Sequence, residues 1–161
     1  MSLAHPLHWM SLASGAWLAL VTASPVAPLP LAAAAYAIGG TVCHQIAERS
    51  FHIAGAQLAV CARCSGIYAG AVAAFVWQVI RARSRVAAVR AGGDAISNAR
   101  RWLVLGALPT AVTVALEIAG LWPASNVVRA LAGVPLGAAV ALVAGLGATL
   151  HYEQWRQRRR A

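Results

Sequence analysis

The sequence predicts an all-α protein, a polytopic transmembrane helical bundle of about four to five spans. Of the 161 residues, 60% are hydrophobic and only 11% are charged, which leaves too little polar surface for a soluble domain of this length. The apolar residues form long stretches of the kind that cross membranes, and most charged residues lie between and after them. The length fits a single integral membrane domain, residues 1–161.

The N-terminal part contains two short apolar stretches, at about residues 7–21 and 29–42, separated by a cluster of prolines. Proline ends a helix because it lacks a backbone N–H and clashes with the preceding turn. Each stretch is near the lower limit for crossing a bilayer, which takes roughly 20 residues. They are therefore either two short spans or one span followed by a half-helix, and the sequence leaves both alternatives open.

Three longer apolar stretches follow a polar loop at residues 43–55. We predict the third span at about Gln57–Ile80, the fourth at about Trp102–Trp122 and the fifth at about Val127–Leu150. A short turn at residues 123–126 joins the last two spans. Because this turn is tight, the fourth and fifth spans are antiparallel neighbours.

Arginine supplies all the basic residues, and it predicts the orientation of the bundle. The arginines cluster in a loop at about residues 81–101 and in a tail at residues 151–161. Two spans separate these segments, so both lie on one side, and the positive-inside rule makes that side cytoplasmic. Residues 43–64 then face the periplasm across a bacterial inner membrane. An outward N-terminus without basic residues agrees with five spans.

The formal net charge of +9 is a topological feature rather than a sign of nucleic-acid binding. The arginines lie between apolar spans instead of along one face, which is the pattern of a membrane protein. We therefore expect the lipid bilayer as the partner of this protein, and no nucleic acid.

Three cysteines carry the sharpest chemical signal. Cys43 and His44 begin the polar loop, and Cys61 and Cys64 follow it as a C-x-x-C pair. Three sulfurs and one imidazole form a soft tetrahedral set suited to zinc, ahead of copper(I) or an iron–sulfur centre. His52 is the alternative fourth ligand, because adjacent Cys43 and His44 are sterically awkward on one ion. Two other interpretations of the cysteines are redox-active thiols and inert residues packed in the core.

Helix phasing divides the third span into two faces. At 100° per residue, Cys61, Cys64 and Tyr68 share one face, so sulfur and phenol groups point together. The opposite face carries Gly66 and Gly70 in a small-residue stripe, which is typical of close helix packing. Such stripes also predict homo-oligomerisation through small-residue helix faces.

Glu117 is the second polar signal, because a carboxylate inside a span is costly. It shares one helical face with other small or polar residues: Gly106, Thr110, Thr113 and Gly120. Arg129 lies at similar depth on the next span, in a stripe with Gly133 and Gly137. The pair is either a buried ion pair or part of a path for a substrate or a proton.

Two motifs resemble a known family: C-H-Q-x-x-x-R-S-F at residues 43–51 and C-A-R-C-S-G-I-Y-A-G at residues 61–70. They are similar to the signature of a bacterial and archaeal membrane family catalogued as domain of unknown function family 2085. The resemblance extends to Ser125-Asn126 and Arg129. Thr113 stands where the family usually has Asp, and Glu117 where it usually has Gln. The resemblance implies a membrane protein with important cysteine motifs, and it implies no activity.

The resulting hypothesis is a small membrane protein with a Cys/His metal site at its outer face, formed by Cys43, His44, Cys61 and Cys64. Further polar site candidates are Gln45, Arg49, Arg63, Tyr68, Glu117 and Arg129. One alternative is a membrane thiol–disulfide oxidoreductase coupled to a quinone. A second alternative is a small transporter that uses the Glu117 and Arg129 pair. The sequence leaves open whether the protein is an enzyme.

Overall fold

The computed structural model describes residues 6–90 and 95–159, with side chains at 6–81 and 98–159. This part of the chain forms five α-helices: α1 Pro6–Ala23, α2 Leu29–Val42, α3 Ala62–Arg90, α4 Ala95–Ile118 and α5 Asn126–Arg158. A 3₁₀ turn, Ala47–Arg49, and an antiparallel hairpin of β1 His52–Ile53 and β2 Ala56–Gln57 lie between α2 and α3. The predicted all-α class is confirmed.

Three helices are long and apolar enough to cross a membrane: Ala62–Arg81 of α3, Asn98–Ile118 of α4, and Asn126–Arg158. Large apolar side chains point outward from these helices, including Trp77, Ile80, Leu105, Leu108, Leu131 and Val140. Such a continuous apolar exterior is typical of helices that face lipid. Length and composition thus agree with the predicted third, fourth and fifth spans.

Several predicted boundaries are wrong. Helix α3 begins at Ala62 rather than near Gln57, because residues 57–60 bond to other segments instead of to a helical turn. The Arg-rich loop and tail are largely helical, since α3 continues to Arg90, α4 begins at Ala95 and α5 runs to Arg158. The glycines at 92–93, predicted as the centre of the loop, lie outside the described residues.

The core of the bundle is the parallel pair of α3 and α5. Gly66 and Gly70 of α3 lie directly against the backbone of Ala130 and Val134 of α5, so an added Cβ at either glycine would collide with it. Gly137 of α5 is just as close to α3. The small-residue stripes therefore pack against each other within the chain. Homo-oligomerisation stays a prediction, and it would need faces other than these.

Helix α4 runs antiparallel to α5 and uses the face that helix phasing predicts. Gly106 lies against the backbone of Pro135, and the Thr110 hydroxyl donates a 2.7 Å hydrogen bond to the carbonyl of Ala132. This close approach places Glu117, two turns beyond Thr110, beside the first turns of α5. The polar face of α4 is therefore directed into the bundle.

Helix α1 runs antiparallel to α3. Met10 packs against the buried cluster that contains Phe75, while Trp17 meets Tyr68 near the N-terminal end of α3. The start of α1 therefore lies toward the end of the bundle where α3 enters the Arg-rich segment. Helix α1 ends beside the cysteines, so its first turn lies at the opposite end of the bundle, and this direction disagrees with an N-terminus expected on the cysteine side.

Helix α2 begins and ends at the same end of the bundle. Before it, the Ser24 hydroxyl accepts a 3.1 Å hydrogen bond from the backbone N–H of Ala59. After it, the Cys43 sulfur accepts one of 3.2 Å from the N–H of Cys61. The five residues from Ser24 to Leu29 span at most about 18 Å, whereas the hydrocarbon core is about 30 Å thick. This geometry fits a half-helix at α2, whose 14 residues are too few to cross the bilayer, and α1 is not among the three candidate spans.

Candidate metal centre

Three thiols meet at the end of the bundle where α2 ends and α3 begins. The Sγ atoms of Cys43, Cys61 and Cys64 all lie within 4.8 Å of one another, and none is in a disulfide. Cys43 caps α2, Cys61 directly precedes α3, and Cys64 lies in its first turn. We call these three residues the thiol cluster. The structure therefore brings together all three predicted cysteine ligands.

Hydrogen bonds connect the thiols of this cluster with one another and with nearby backbone N–H groups. The Cys43 sulfur accepts hydrogen bonds from the N–H groups of Cys61, at 3.2 Å, and Gln45, at 3.5 Å. A hydrogen bond from the Cys64 thiol lowers the pKa of Cys61 well below its usual range, although partial burial opposes this shift. Thiolate is the form that binds metal ions, so this shift favours cation binding at Cys61.

Gln45, a predicted site candidate, positions the cluster. Its side-chain amide donates to the carbonyls of Tyr36, at 2.8 Å, and Ala59, at 2.7 Å, and so ties α2 to the segment before α3. Gln57 donates in turn to the carbonyl of Gln45, at 3.3 Å. Gln45 has a φ of 52°, a left-handed conformation that costs free energy for a residue with a side chain. These contacts hold the strained backbone and bring Cys43 next to Cys61.

Buried polar residues around the cluster complete this scaffold. The Ser24 hydroxyl donates to the carbonyl of Val21 while it accepts from Ala59, and Ser24 is only 2% exposed. The Asn126 amide at the start of α5 donates to the carbonyl of the fully buried Ser50. Sequence reasoning missed Ser24, because a serine followed by prolines looks like an ordinary turn residue.

A cavity of about 210 Å³ opens beside the thiol cluster. Three arginines line it together with the thiols: Arg49, Arg63 and Arg129. His44 also lines the cavity, but it is exposed and lies outside the group of mutually close ligand atoms. His52 is exposed on β1 and does not line the cavity. Neither imidazole joins the three close sulfurs, and of the two only His44 lines the same cavity.

Tyr68 lies on the same face of α3 as the thiols, as helix phasing predicts. Its ring packs against the cluster of buried residues that contains Cys43. It also meets Trp17 of α1 edge to face, with ring centroids 6.0 Å apart and an interplanar angle of 84°. Aromatic pairs favour this geometry, so the observed contacts of Tyr68 explain its position by packing.

Glu117 accepts from two arginines rather than one. Its Oε1 atom lies 3.0 Å from Arg129 Nε and 3.4 Å from Arg63 Nη2. The three side chains, which we call the Glu117 triad, are between 6% and 17% exposed. The predicted pairing of Glu117 with Arg129 is confirmed, and the geometry matches the ion-pair alternative. Sequence reasoning missed that Arg63, one residue before Cys64, completes the triad.

The model of a family described as predicted membrane protein (DUF2085) matches residues 43–143. That region contains the thiol cluster and the Glu117 triad, and it starts at Cys43, just after α2.

Two archaeal relatives are similar to the chain. One is an uncharacterized protein of Methanocaldococcus jannaschii, 33% identical over 100 residues, which cover 61% of this chain and 58% of that protein. Another, from Methanothermobacter thermautotrophicus, is 29% identical over 103 residues, which cover 63% of this chain and 83% of the relative. The chain therefore spans less than two thirds of the first relative's length. No solved structure matches the chain.

Proposed function

The chain belongs to the DUF2085 family of predicted membrane proteins, and on that premise we propose that it binds one soft metal ion on its thiol cluster. The observation that carries this proposal is the mutual distance of the three sulfurs, at most 4.8 Å. In a tetrahedral zinc site with Zn–S bonds of about 2.3 Å, the sulfurs are about 3.8 Å apart. Small side-chain rotations at Cys43, Cys61 and Cys64 would thus close a metal shell.

Charge balance supports a divalent ion. Three thiolates around a divalent cation carry one net negative charge. The neighbouring Glu117 triad carries one net positive charge, because two arginines share one carboxylate. Buried charge is tolerated where opposite charges compensate it, so the two centres stabilise each other. Zinc therefore fits this site, and copper(I), which also prefers thiolates, is the second choice. Iron–sulfur clusters usually take four cysteines, and the chain has three.

The cavity beside the thiols leaves room for a fourth ligand. His44 lines that cavity and is exposed, so a rotation of its side chain is unhindered by packing. We propose His44 as the protein ligand that reaches the ion, ahead of His52, which lies on β1 and does not line the cavity. A metal with an exchangeable fourth ligand is suited to catalysis, and one closed by His44 is suited to a structural role.

Elemental analysis of protein purified in mild detergent is expected to find about one zinc or copper ion per chain, as one such shell requires. Cys61→Ser or Cys64→Ser should abolish this metal, and His44→Ala should lower it. His52→Ala is the matched control, because it removes another exposed imidazole from the same loop. Affinity should fall as pH drops through the thiol pKa values, and the lowered pKa of Cys61 keeps that thiolate available to a lower pH.

Metal-free, reduced protein in which Cys61 and Cys64 readily oxidise to a disulfide would contradict the metal proposal. It would favour the second candidate, a thiol–disulfide oxidoreductase coupled to a membrane quinone. The lowered pKa of Cys61 is the observation that supports this candidate, because thiolate is also the attacking species in disulfide exchange. A quinone-dependent oxidation of the purified thiols would be its direct test.

We further propose that the protein crosses the cytoplasmic membrane several times with the thiol cluster outward. Reporter fusions after Arg90 and at Ala161 should both report the cytoplasm, because the start of α4 and the end of α5 both adjoin arginine-rich segments. A fusion at Ser125 should report the opposite side. An N-terminal fusion should also be cytoplasmic, as α1 runs antiparallel to α3. Opposite signals from Arg90 and Ala161 would disprove this topology.

A further inference from the structure

The arginines of this chain follow a pattern that topology alone does not explain. Ten of the thirteen lie within residues 81–101 and 156–160, where they orient the membrane spans. The other three, Arg49, Arg63 and Arg129, come from three distant segments, and all of them line the cavity beside the thiol cluster. Convergence of every remaining arginine on one cavity indicates a binding role for their charge.

The positive charge of this cavity is only partly compensated by the described residues. No carboxylate among the described side chains lines it, and Glu117 is shared between Arg63 and Arg129. The Nε of Arg63 is buried and has no hydrogen-bond partner in the described part of the chain. Arg49 is exposed at the end of the 3₁₀ turn, and the described residues give it no ion-pair partner. An unpaired buried donor among arginines favours a negatively charged ligand.

We propose that this cavity binds a small oxyanion with the chemistry of phosphate. Guanidinium groups present planar sets of donors that match phosphate oxygens in pairs. The volume of about 210 Å³ is that of about seven water molecules at ~30 Å³ each, so it accommodates a phosphate group. The donors to this anion are the three arginines, and the three thiols of the cluster share the same lining.

The phosphate group has two sources that this chemistry does not distinguish. It is either a free ion from the aqueous phase or the headgroup of an anionic lipid. The cavity lies at the end of the bundle next to the apolar helix α2, whose Val42 and the neighbouring Ile46 also line it. Both sources share the same three arginines, so one set of variants tests both.

The first arm of the test titrates inorganic phosphate into the full-length protein in a neutral detergent, with and without chelator treatment, by calorimetry. We expect saturable binding of about one phosphate per chain. Arg49→Gln should weaken it about tenfold or more, the loss typical of one charge-assisted hydrogen bond. Arg81→Gln is the matched control, because it removes an arginine that stacks on Trp77 at 4.4 Å, away from the cavity. Its phosphate affinity should equal that of the wild type.

The second arm measures the lipid carried by the protein after purification and in nanodiscs of phosphatidylglycerol. If the ligand is a lipid headgroup, one equivalent should be retained by the wild type and by Arg81→Gln, and lost from Arg49→Gln. The metal content of each variant, measured in parallel, shows whether the thiol cluster remains intact. The proposal is overturned if neither free phosphate nor lipid binds in a manner that depends on Arg49 while Arg49→Gln keeps its fold.

Discussion

Glu117→Gln is expected to destabilise the protein by about 3–5 kcal/mol, the cost of leaving a buried charge without its partner. The Glu117 side chain is 6% exposed and accepts from both Arg63 and Arg129. Its neutralisation leaves two guanidinium groups close together without a counter-charge. Arg129→Gln should cost less, because Arg63 still pairs with the carboxylate. The free energies of unfolding follow from denaturant titration in mixed micelles, monitored by circular dichroism.

A double-mutant cycle isolates the pairing itself. The double variant Glu117→Gln/Arg129→Gln should recover part of the summed losses, because it no longer contains the unpaired charge of Arg129. Glu48→Gln is the matched control, since Glu48 is an exposed carboxylate, and surface changes usually stay within about 0.5 kcal/mol. Strictly additive losses at Glu117 and Arg129 would mean that the two side chains do not interact.

Helix phasing predicted the contacts that depend on periodicity alone. The small-residue faces of α3 and α5 could be identified because every third or fourth residue repeats on one side of a helix, and the same periodicity placed Glu117 next to Arg129. The hairpin at residues 52–57 was not predicted. Each of its strands is two residues long, which is too short for an alternating pattern to be visible.

The predicted helix boundaries were wrong where backbone groups form hydrogen bonds with residues far away in the sequence. Residues 57–61 have the composition of a helix start, yet the carbonyl of Ala59 binds Gln45 and its N–H binds Ser24. No local pattern encodes bonds to residues 14 and 35 positions earlier. The direction of α1 was also not predicted, because a short apolar helix has the same composition whichever way it runs.

The candidate site was predictable in its chemistry but not in its electrostatics. The C-x-x-C spacing and the preceding Cys43 were enough to expect three sulfurs together. The role of Arg63 depends on contacts with α4. Its Nη2 atom donates hydrogen bonds to Thr113 Oγ1, at 3.5 Å, and to Glu117 Oε1, at 3.4 Å. The sequence shows that an arginine is present, but it does not show which residue the arginine side chain contacts. The link between the thiol cluster and the Glu117 triad therefore needed the structure.

Gly137→Ala is expected to destabilise the bundle by about 3 kcal/mol or more, the upper range for overpacking. A Cβ at this position would lie 1.8 Å from the carbonyl oxygen of Ile67 and 2.6 Å from its carbonyl carbon. These are backbone atoms of α3, so no side-chain rotation relieves the clash and the two helices must separate. Because Ile67 follows Cys64 by one turn, the separation should also reduce the metal content of the thiol cluster.

Gly147→Ala provides the matched control for Gly137→Ala. Both glycines lie inside α5, and the substitution is the same, but no atom lies within 4 Å of a Cβ built on Gly147. Alanine there should be neutral or stabilise the helix by up to about 1 kcal/mol, because it replaces a residue of low helix propensity. Unfolding in micelles and elemental analysis on both variants give the comparison. Equal stability and equal metal content in the two variants would refute the close parallel packing of α3 against α5.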